Sequence, residues 1–254
     1  MIPATAKGLA VPVGLLTVAE VAAWATGLQS DSIAPPSAIA AAAAEALADG
    51  TLLGATRETL LAAFGGLALG ALIGLVLGTL FGTVPMLNRL MDFTVETVRP
   101  IPSIALLPIG LLVLGYGYRM EIAIVAFAST WPVLILTRAA TARTEPRLME
   151  VARVLGLTPW ARVVKIVLPA ALPRIFVALR LAAGVALIVA VTVEVTGNPI
   201  GVGNTMMVAS QSLRPALALA CLVWIGVIGW GLNRLMLAAQ QKLFGRAALV
   251  GDAR

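Results

Sequence analysis

The residue types that could carry chemistry are few, and the missing ones exclude whole classes of site. The chain has no histidine and a single cysteine, Cys221. A zinc site built from Cys and His, a disulfide framework and a histidine-activated nucleophile are therefore excluded within one chain. The lysines are Lys7, Lys165 and Lys242, and none of them follows a glycine. The Gly-Lys-Ser/Thr sequence of a phosphate-binding loop is absent, so the chain cannot bind ATP in that way.

The segment from Arg138 to Arg174 has the most regular spacing of charged and apolar residues. Its basic residues are Arg138, Arg143, Arg147, Arg153, Arg162, Lys165 and Arg174. Its apolar residues Leu148, Val151, Ala152 and Leu155 recur at helical spacing. This pattern predicts a short helix that opens near Glu145, and Gly156 stands where a helix-ending glycine is expected.

A second short helix is predicted directly after that glycine. Thr158 is a capping residue, and Pro159 follows it at the first helical position. Pro169 and Pro173 would then close this helix. Two short helices joined at a glycine make a compact projection with an apolar face and a basic rim. Such a projection suits docking to a soluble partner.

Polar residues inside apolar runs are the candidates for contact with a solute. They are Ser103, Glu194, Asn198 and Asn204. An acidic group in a membrane span is energetically expensive and is a functional candidate for that reason. The alternative for Glu194 is structural, with its carboxylate bonded to backbone amides of the turn over residues 197–203. Glu20 allows the same two interpretations.

The composition requires most of these residues to lie in or beside a membrane. The 254 residues are 60% hydrophobic and only 12% charged, with a mean hydropathy of +0.99. A soluble domain carries about 25% charged residues, and a core of this size cannot hide the apolar excess. Since a span needs about 20 residues, the apolar runs predict about six membrane-spanning helices in one all-α domain over residues 1–254. The predicted spans are Gly8–Leu28, Thr59–Gly82, Ile101–Leu114, Ile122–Leu136, Ile175–Val195 and Ala216–Leu237.

The distribution of basic residues predicts the orientation of these spans. With the N-terminus in the cytoplasm, most of the basic residues fall on inner segments, and only Arg57, Arg119 and Arg214 lie outside. This positive-inside bias places both termini in the cytoplasm and explains the net charge of +6 without a nucleic-acid partner. Because basic residues are almost absent from the spans, no fixed anion site is expected among them. Cleavage of the first span as a signal peptide is the alternative to its retention.

Two local patterns concern packing rather than chemistry. The second predicted span repeats glycine at every fourth position, namely Gly66, Gly70, Gly74, Gly78 and Gly82. These glycines share one face, where another helix could approach to backbone contact, either inside the fold or at a subunit interface. In the first outer connection, Ser37 follows two prolines and is expected to cap a short helix over residues 38–47.

The projection also carries a motif. Glu150-Val151-Ala152, then Gly156 after three residues, then Ile166-Val167-Leu168-Pro169 after nine more, resembles the EAA loop of bacterial ABC importer permeases. Val151 is the only departure from that pattern. Arg99–Pro108 resembles the Arg-Pro-Ile-Pro stretch of the nitrate/sulfonate/taurine permease subfamily. The glycine run, Pro35-Pro36-Ser37 and the region from Glu194 to Gly203 are similar to that subfamily too.

The resemblance implies a type I ABC importer permease fold in a bacterial inner membrane. In that family two permease copies pair, each docks one cytoplasmic ATPase, and an external binding protein delivers the solute. A homodimer is expected, with ATP and magnesium on the ATPase, no cofactor in this chain and no catalytic residue. Glu150, Ala152 and Gly156 would shape the coupling helix. Ile166, Leu168 and Pro169 would anchor it to the membrane domain.

Three readings of the function remain open at this point. The first is an importer permease for a small anion of the sulfonate, nitrate or taurine class. The second is the same type of importer with another cargo, such as a vitamin precursor or an aromatic acid. The third is an ion-coupled secondary carrier, which would be expected to show paired intramembrane carboxylates or inverted repeats.

Overall fold

The computed structural model describes residues 4–27 and 30–245, with side chains from residue 11 onward. Every regular element in those ranges is a helix, so the predicted all-α class is confirmed. In chain order the helices are α1 (Ala4–Thr26), α2 (Pro36–Ala48), α3 (Thr51–Thr83), α4 (Pro85–Val98), α5 (Leu107–Leu114), α6 (Tyr118–Ala142), α7 (Pro146–Val154), α8 (Pro159–Arg162), α9 (Leu168–Thr196), α10 (Gly201–Gln211) and α11 (Pro215–Phe244). A 3-10 turn over Ser103–Leu106 precedes α5, and a π turn over Val163–Val167 joins α8 to α9.

The described residues contain fewer membrane-spanning candidates than the six predicted. Four helical stretches are long and apolar enough to cross a membrane, or five if one bent pair counts as a span. The four are Thr51–Thr83, Tyr118–Ala142, Pro159–Gln211 and Pro215–Phe244. The first predicted span coincides with α1, whose apolar part Val11–Thr26 falls in the shorter class of 10–17 residues. Lys7, Gly8 and Leu28 lie outside the residues whose side chains are described.

The third predicted span is one arm of that bent pair. α4 and the arm Ser103–Leu114 meet at an angle of 83°. The break contains Pro100 and Pro102, and each proline disfavours helical backbone at the residue before it. Arg89 lies in α4, so the segment that was expected to be an inner connection is helical.

The predicted loop from Arg138 to Arg174 is shorter than expected. Arg138 lies within α6, which continues to Ala142. The two prolines expected to close the second short helix do not do so, because α9 begins at Leu168 and includes Pro173. Pro169 falls in the first turn of α9, where a missing N–H group is tolerated. Inside a membrane helix, proline is tolerated because neighbouring groups and local π adjustments satisfy the freed carbonyl.

One compact unit consists of Met1–Thr59 and Glu194–Ile228. Its apolar core contains Ala46, Leu52, Ala55, Val202 and Cys221. At the edge of this core the indole Nε1 of Trp224 donates to Thr56 Oγ1 at 2.8 Å, which meets the need of a half-buried indole for a partner. The single cysteine thus serves as a small buried apolar residue.

The short helix of the first outer connection is present as α2, but Ser37 does not cap it. The helix begins at Pro36 with Pro35 in the N-cap position, so Ser37 lies within the first turn. Ser37 instead donates to the carboxylate of Glu20, from its N–H at 3.0 Å and from its hydroxyl at 2.7 Å. Trp24 Nε1 also donates to Glu20, at 3.1 Å. Glu20 therefore accepts hydrogen bonds from the first turn of α2, and this role is structural.

The start of α3 is held by a carboxylate as well. Asp49 Oδ1 accepts from the backbone N–H of Thr51 at 2.8 Å. Hydrogen bonds from Thr51 lower the pKa of Asp49 below its ordinary value, and the charge of Arg214 contributes in the same direction. A carboxylate near a helix N-terminus is also favoured by the helix dipole.

The second unit consists of Leu60–Val193 and Gly229–Arg254. Within it the glycine face of α3 lies directly on α6. A Cβ atom added to Gly70 would come within 2.5 Å of the Ala126 carbonyl oxygen, and one added to Gly78 within 2.6 Å of the Leu134 carbonyl oxygen. The two backbones are therefore in contact, and this seam is internal to the unit. Thr130 Oγ1 lies 3.3 Å from the Gly70 carbonyl oxygen and donates to it.

Gly74→Ala is expected to lower the thermal stability of the protein. Its Cβ would lie 2.7 Å from the Thr130 carbonyl oxygen, and relieving that clash requires the helices to separate. Overpacking of this kind costs about 1–3 kcal/mol. Gly54→Ala on the same helix is the control, because nothing lies within 4 Å of the added Cβ. Thermal unfolding in detergent measures both variants, and equal melting temperatures would contradict the close approach.

Candidate coupling elbow and buried polar connection

α7 ends in a glycine whose conformation few other residues adopt. Gly156 has a φ of +62°. The Gly156 N–H donates to the Arg153 carbonyl oxygen at 3.0 Å, and the Leu157 N–H donates to the Ala152 carbonyl oxygen at 3.0 Å. These two bonds form the Schellman motif, which satisfies the last carbonyls of a helix and favours glycine at this position. The sequence predicted this helix end correctly.

α8 begins at Pro159, three residues after Gly156, as the sequence also predicted. Thr158 Oγ1 accepts from the backbone N–H of Ala161 at 3.3 Å, and Pro159 occupies the first helical position. Arg162 Nε donates to the Leu157 carbonyl oxygen at 2.8 Å, which ties the second helix back to the turn. We call residues 146–162 the elbow.

The elbow presents large apolar side chains to its surroundings. Val154 is 87% exposed, Trp160 76%, Leu155 65% and Val151 51%. We call these four side chains the elbow surface. α7 has only nine residues and is too short to cross a membrane. Trp160 lies at the very start of the spanning candidate Pro159–Gln211, whereas Val151, Val154 and Leu155 lie outside every candidate span. An exposed apolar patch with basic neighbours outside a span is typical of a protein–protein interface.

The other residues of the motif lie on both sides of this surface. Ala152 is fully buried, whereas Glu150 on the same helix is exposed. Ile166 lies in the π turn, and Pro169 follows in the first turn of α9. Leu168 packs against a core cluster formed by Ala140, Ala171 and Ile175. The second half of the motif thus connects the elbow to the packed helices of its unit, and π turns are frequent at functional sites.

Three of the polar residues singled out in the sequence lie around the connection from α9 to α10. Glu194 is 1% exposed and Asn198 is fully buried, while Asn204 is half-buried in the first turns of α10. Glu194 Oε2 accepts from the Gly203 N–H at 2.8 Å, the bond expected for its structural alternative. Ser103 is half-buried in the 3-10 turn before α5 and belongs to the other unit.

Sequence analysis missed two residues that complete this connection. The Gly201 N–H donates to Glu58 Oε2 at 2.9 Å, and the Val202 N–H donates to Thr59 Oγ1 at 2.9 Å. The first N–H groups of a helix have no partners within it, so side chains from α3 and α9 satisfy those of α10. The sequence signal was an acid and a hydroxyl at the start of an apolar run. It does not say which amides they meet, because the partners are more than 140 positions away.

The apolar helices and the exposed elbow define a polytopic helical membrane protein with an exposed projection. A sequence profile of the family described as "Binding-protein-dependent transport system inner membrane component" matches residues 66–247. That is well over half of the chain, so the chain belongs to this family, and the resemblance noted in its sequence is confirmed.

Curated relatives share this family and carry transport names. The chain is 33% identical over 159 residues to a putative ABC transporter permease of Methanocaldococcus jannaschii, covering 62% of this chain and 60% of the relative. It is 30% identical to the putative aliphatic sulfonates transport permease SsuC of Bacillus subtilis, over 60% of this chain and 55% of the relative. It is 31% identical to the bicarbonate transport permease CmpB of Synechocystis, over 63% of this chain and 58% of the relative. The chain thus spans less than two thirds of the length of each.

Solved transporter structures share the fold. The inward-facing MetNI methionine ABC transporter superposes with a TM-score of 0.60 at 22% identity, covering 72% of this chain and 93% of that chain. An amino acid ABC transporter crystallised with histidines superposes with a TM-score of 0.63 at 20% identity, covering 79% of this chain and 97% of that chain. The predicted permease fold is therefore confirmed.

Glu194→Leu is expected to destabilise the protein, because the buried Gly203 N–H loses its acceptor. An unsatisfied buried amide costs about 1–3 kcal/mol. Glu194→Gln keeps an acceptor oxygen and should have the smaller effect on the melting temperature in detergent. If Glu194 acted on the solute instead, Glu194→Gln would alter transport while the melting temperatures of both variants stayed at the wild-type value.

Proposed function

We propose that this chain is the translocating subunit of an ATP-driven importer and that its elbow surface docks a separate ATPase subunit. The observation that carries the proposal is the exposure of Val151, Val154 and Leu155 on and directly after α7, a helix too short to span a membrane. Burying such side chains against a partner is favourable by about 25 cal/mol per Å² of apolar area. With no phosphate-binding loop of its own, the chain relies on the partner to hold ATP and magnesium.

The motif residues divide into a docking part and an anchoring part in this proposal. Glu150 and Ala152 shape α7, and Gly156 sets the turn that presents the elbow surface. Ile166, Leu168 and Pro169 link the elbow to α9. Because Leu168 is packed on Ala140 and Ile175, a displacement of the elbow by its partner is transmitted to the helices of that unit.

The remaining partners follow from the orientation and the family. The basic residues of the elbow support a cytoplasmic position for the elbow and both termini, at an inner membrane. One elbow per chain serves one ATPase, so two identical permease copies with two ATPases form the expected assembly. An external binding protein delivers the solute, which accords with the binding-protein-dependent family of the chain.

The proposed cargo is a small anion. The relatives named for a cargo transport aliphatic sulfonates, bicarbonate or nitrate, and all three are small oxyanions. Among the described residues of the first unit no carboxylate pair is left free for a coupling ion, since Glu194 caps a helix. Glu58 caps the same helix and is not left to carry a coupling ion.

ATP-dependent uptake by the reconstituted importer tests the function. The chain is co-expressed with the ATPase and binding protein encoded beside it, purified as a complex and placed in liposomes. Uptake of labelled nitrate, bicarbonate or methanesulfonate should require ATP and stop with vanadate, while a proton uncoupler should have no direct effect. Uptake by the chain alone in ATP-free liposomes would replace the importer with a secondary carrier.

Gly156→Asp should leave the protein folded in the membrane but reduce ATPase association about tenfold or more, because a charge is then placed beside the elbow surface. Nothing lies within 4 Å of the added Cβ, and the backbone strain of a side chain at a φ of +62° is shared by the control variant below. Gly156→Asn is the matched control: it has the same shape, tolerates positive φ and lacks the charge. Co-purification with a tagged permease measures both variants. Equal retention of the ATPase by wild type and Gly156→Asp would reject the docking role.

A further inference from the structure

A polar cavity lies between α4 and the C-terminal part of α6, within the second unit. Its volume is about 630 Å³, in the size range of sites for small molecules. Its charged and amide side chains come from both helices. They are Asn88, Asp92, Glu96, Arg99, Arg138 and Arg143.

Positive charge predominates on the cavity wall. Arg138 Nη2 lies 2.7 Å from Asp92 Oδ1, so this pair is neutral as a unit. Arg99 and Arg143 form no ion pair with any residue that the structure describes. Glu96 offsets one of these charges, and a net charge of +1 remains on the wall.

An amide in the cavity wall also has spare hydrogen-bonding capacity. Asn88 Oδ1 is buried, and no described residue supplies it with a hydrogen bond. Buried polar atoms are almost always paired, so an unpaired one points to a missing partner such as water or a ligand. Oδ1 is an acceptor, so the amide must turn by 180° about its Cβ–Cγ bond to present its NH₂ donors to an anion.

α4 turns apolar residues outward, which is the reverse of a helix on the surface of a water-soluble protein. Its outer face exposes Met86 (72%), Leu90 (63%) and Phe93 (79%), whereas its charged residues Asp92 and Arg99 line the cavity. Charged residues of membrane proteins that face an interior cavity commonly mark the path of a solute or ion. Glu96 and Arg99 are themselves exposed, so the charges of α4 indicate a polar site in an open cavity.

We propose that this cavity binds a small oxyanion, with the guanidinium groups of Arg99 and Arg143 and the amide of Asn88 as its ligands. The inference rests on the proposed function and locates the cargo within this chain. Guanidinium groups bind planar and tetrahedral oxyanions through paired N–H donors. Sequence analysis predicted no fixed anion site among the spans, and it placed Arg99 in one inner connection and Arg138 and Arg143 in another.

The neighbouring carboxylates fit a site that must also release its ligand. Arg138 holds Asp92, which keeps that carboxylate from pairing with Arg99 or Arg143 in place of the anion. Glu96 repels a bound anion and lowers its affinity. A translocation pathway needs binding that is favourable enough for entry and weak enough for exit.

Arg99 and Arg143 also have a structural alternative. Each is the C-cap residue of its helix, Arg99 for α4 and Arg143 for α6. A cation at a helix C-terminus is favourable by itself. Lysine keeps this charge but cannot form the paired donors of guanidinium, so Arg→Lys variants separate the two roles.

The test measures anion binding and uptake with the complete importer. Equilibrium binding of labelled nitrate, bicarbonate and methanesulfonate is measured on the purified complex without its binding protein, and ATP-dependent uptake is measured in liposomes. Arg99→Lys and Arg143→Lys should each weaken binding about tenfold and raise the KM for uptake, with an unchanged melting temperature. Arg89→Lys, on the exposed surface of α4 outside the cavity, is the matched control and should bind as wild type does.

The outcomes separate failure of the site from failure of the function. Wild-type affinity in both cavity variants, alongside ATP-dependent anion uptake, overturns the site and leaves the importer standing. If thermal stability falls together with anion binding, both arginines act only as helix caps, and the proposed site is overturned as well. Anion binding that depends on the arginines, without ATP-driven uptake, supports the site and rejects the importer. Competition by phosphatidylglycerol, absent in phosphatidylcholine and removed by the variants, would assign the cavity to a lipid headgroup and overturn the cargo assignment.

Discussion

Direct backbone contact between α3 and α6 is the constraint on which the rest of the second unit depends. Lipid chains are as apolar as leucine, so close packing rather than water exclusion must hold these helices together. Every fourth residue of α3 from Gly66 to Gly82 lacks a side chain, and α6 fills that space with its own backbone. This contact fixes the C-terminal end of α6, where Arg138 meets Asp92 and the chain turns into the elbow.

A second constraint is that helix ends in apolar surroundings must satisfy their backbone groups internally. Glu58, Thr59 and Glu194 do so for α10, and Glu20 does so for α2. Glu194 and Glu20 were functional candidates in the sequence, and their hydrogen bonds are those of structural groups. α4 turns Met86, Leu90 and Phe93 outward and Asp92, Glu96 and Arg99 toward a cavity.

The cavity and the elbow share one connection. Arg143 lines the cavity at the end of α6, and α7 begins three residues later at Pro146. A cargo anion at Arg143 and an ATPase at the elbow surface would therefore act on opposite ends of the same short segment. Coupling between two sites requires a structural element that both can bias, and this segment is placed to be one.

The sequence by itself determined the features that depend on local rules. Composition requires membrane helices, the turn at Gly156 follows from the need for a positive φ, and Thr158-Pro159 specifies a helix start. The tertiary structure decided what depends on distant partners. Periodicity could not show the 83° bend after α4 or the extension of α6 through Arg138. Nor could it show that Arg138 pairs with Asp92, or that Glu58 reaches Gly201, since these contacts join residues from 46 to 143 positions apart. The physical reason is that a charged residue has the same local propensities in a loop, a cap or a cavity, and only the packed helices determine which groups it meets.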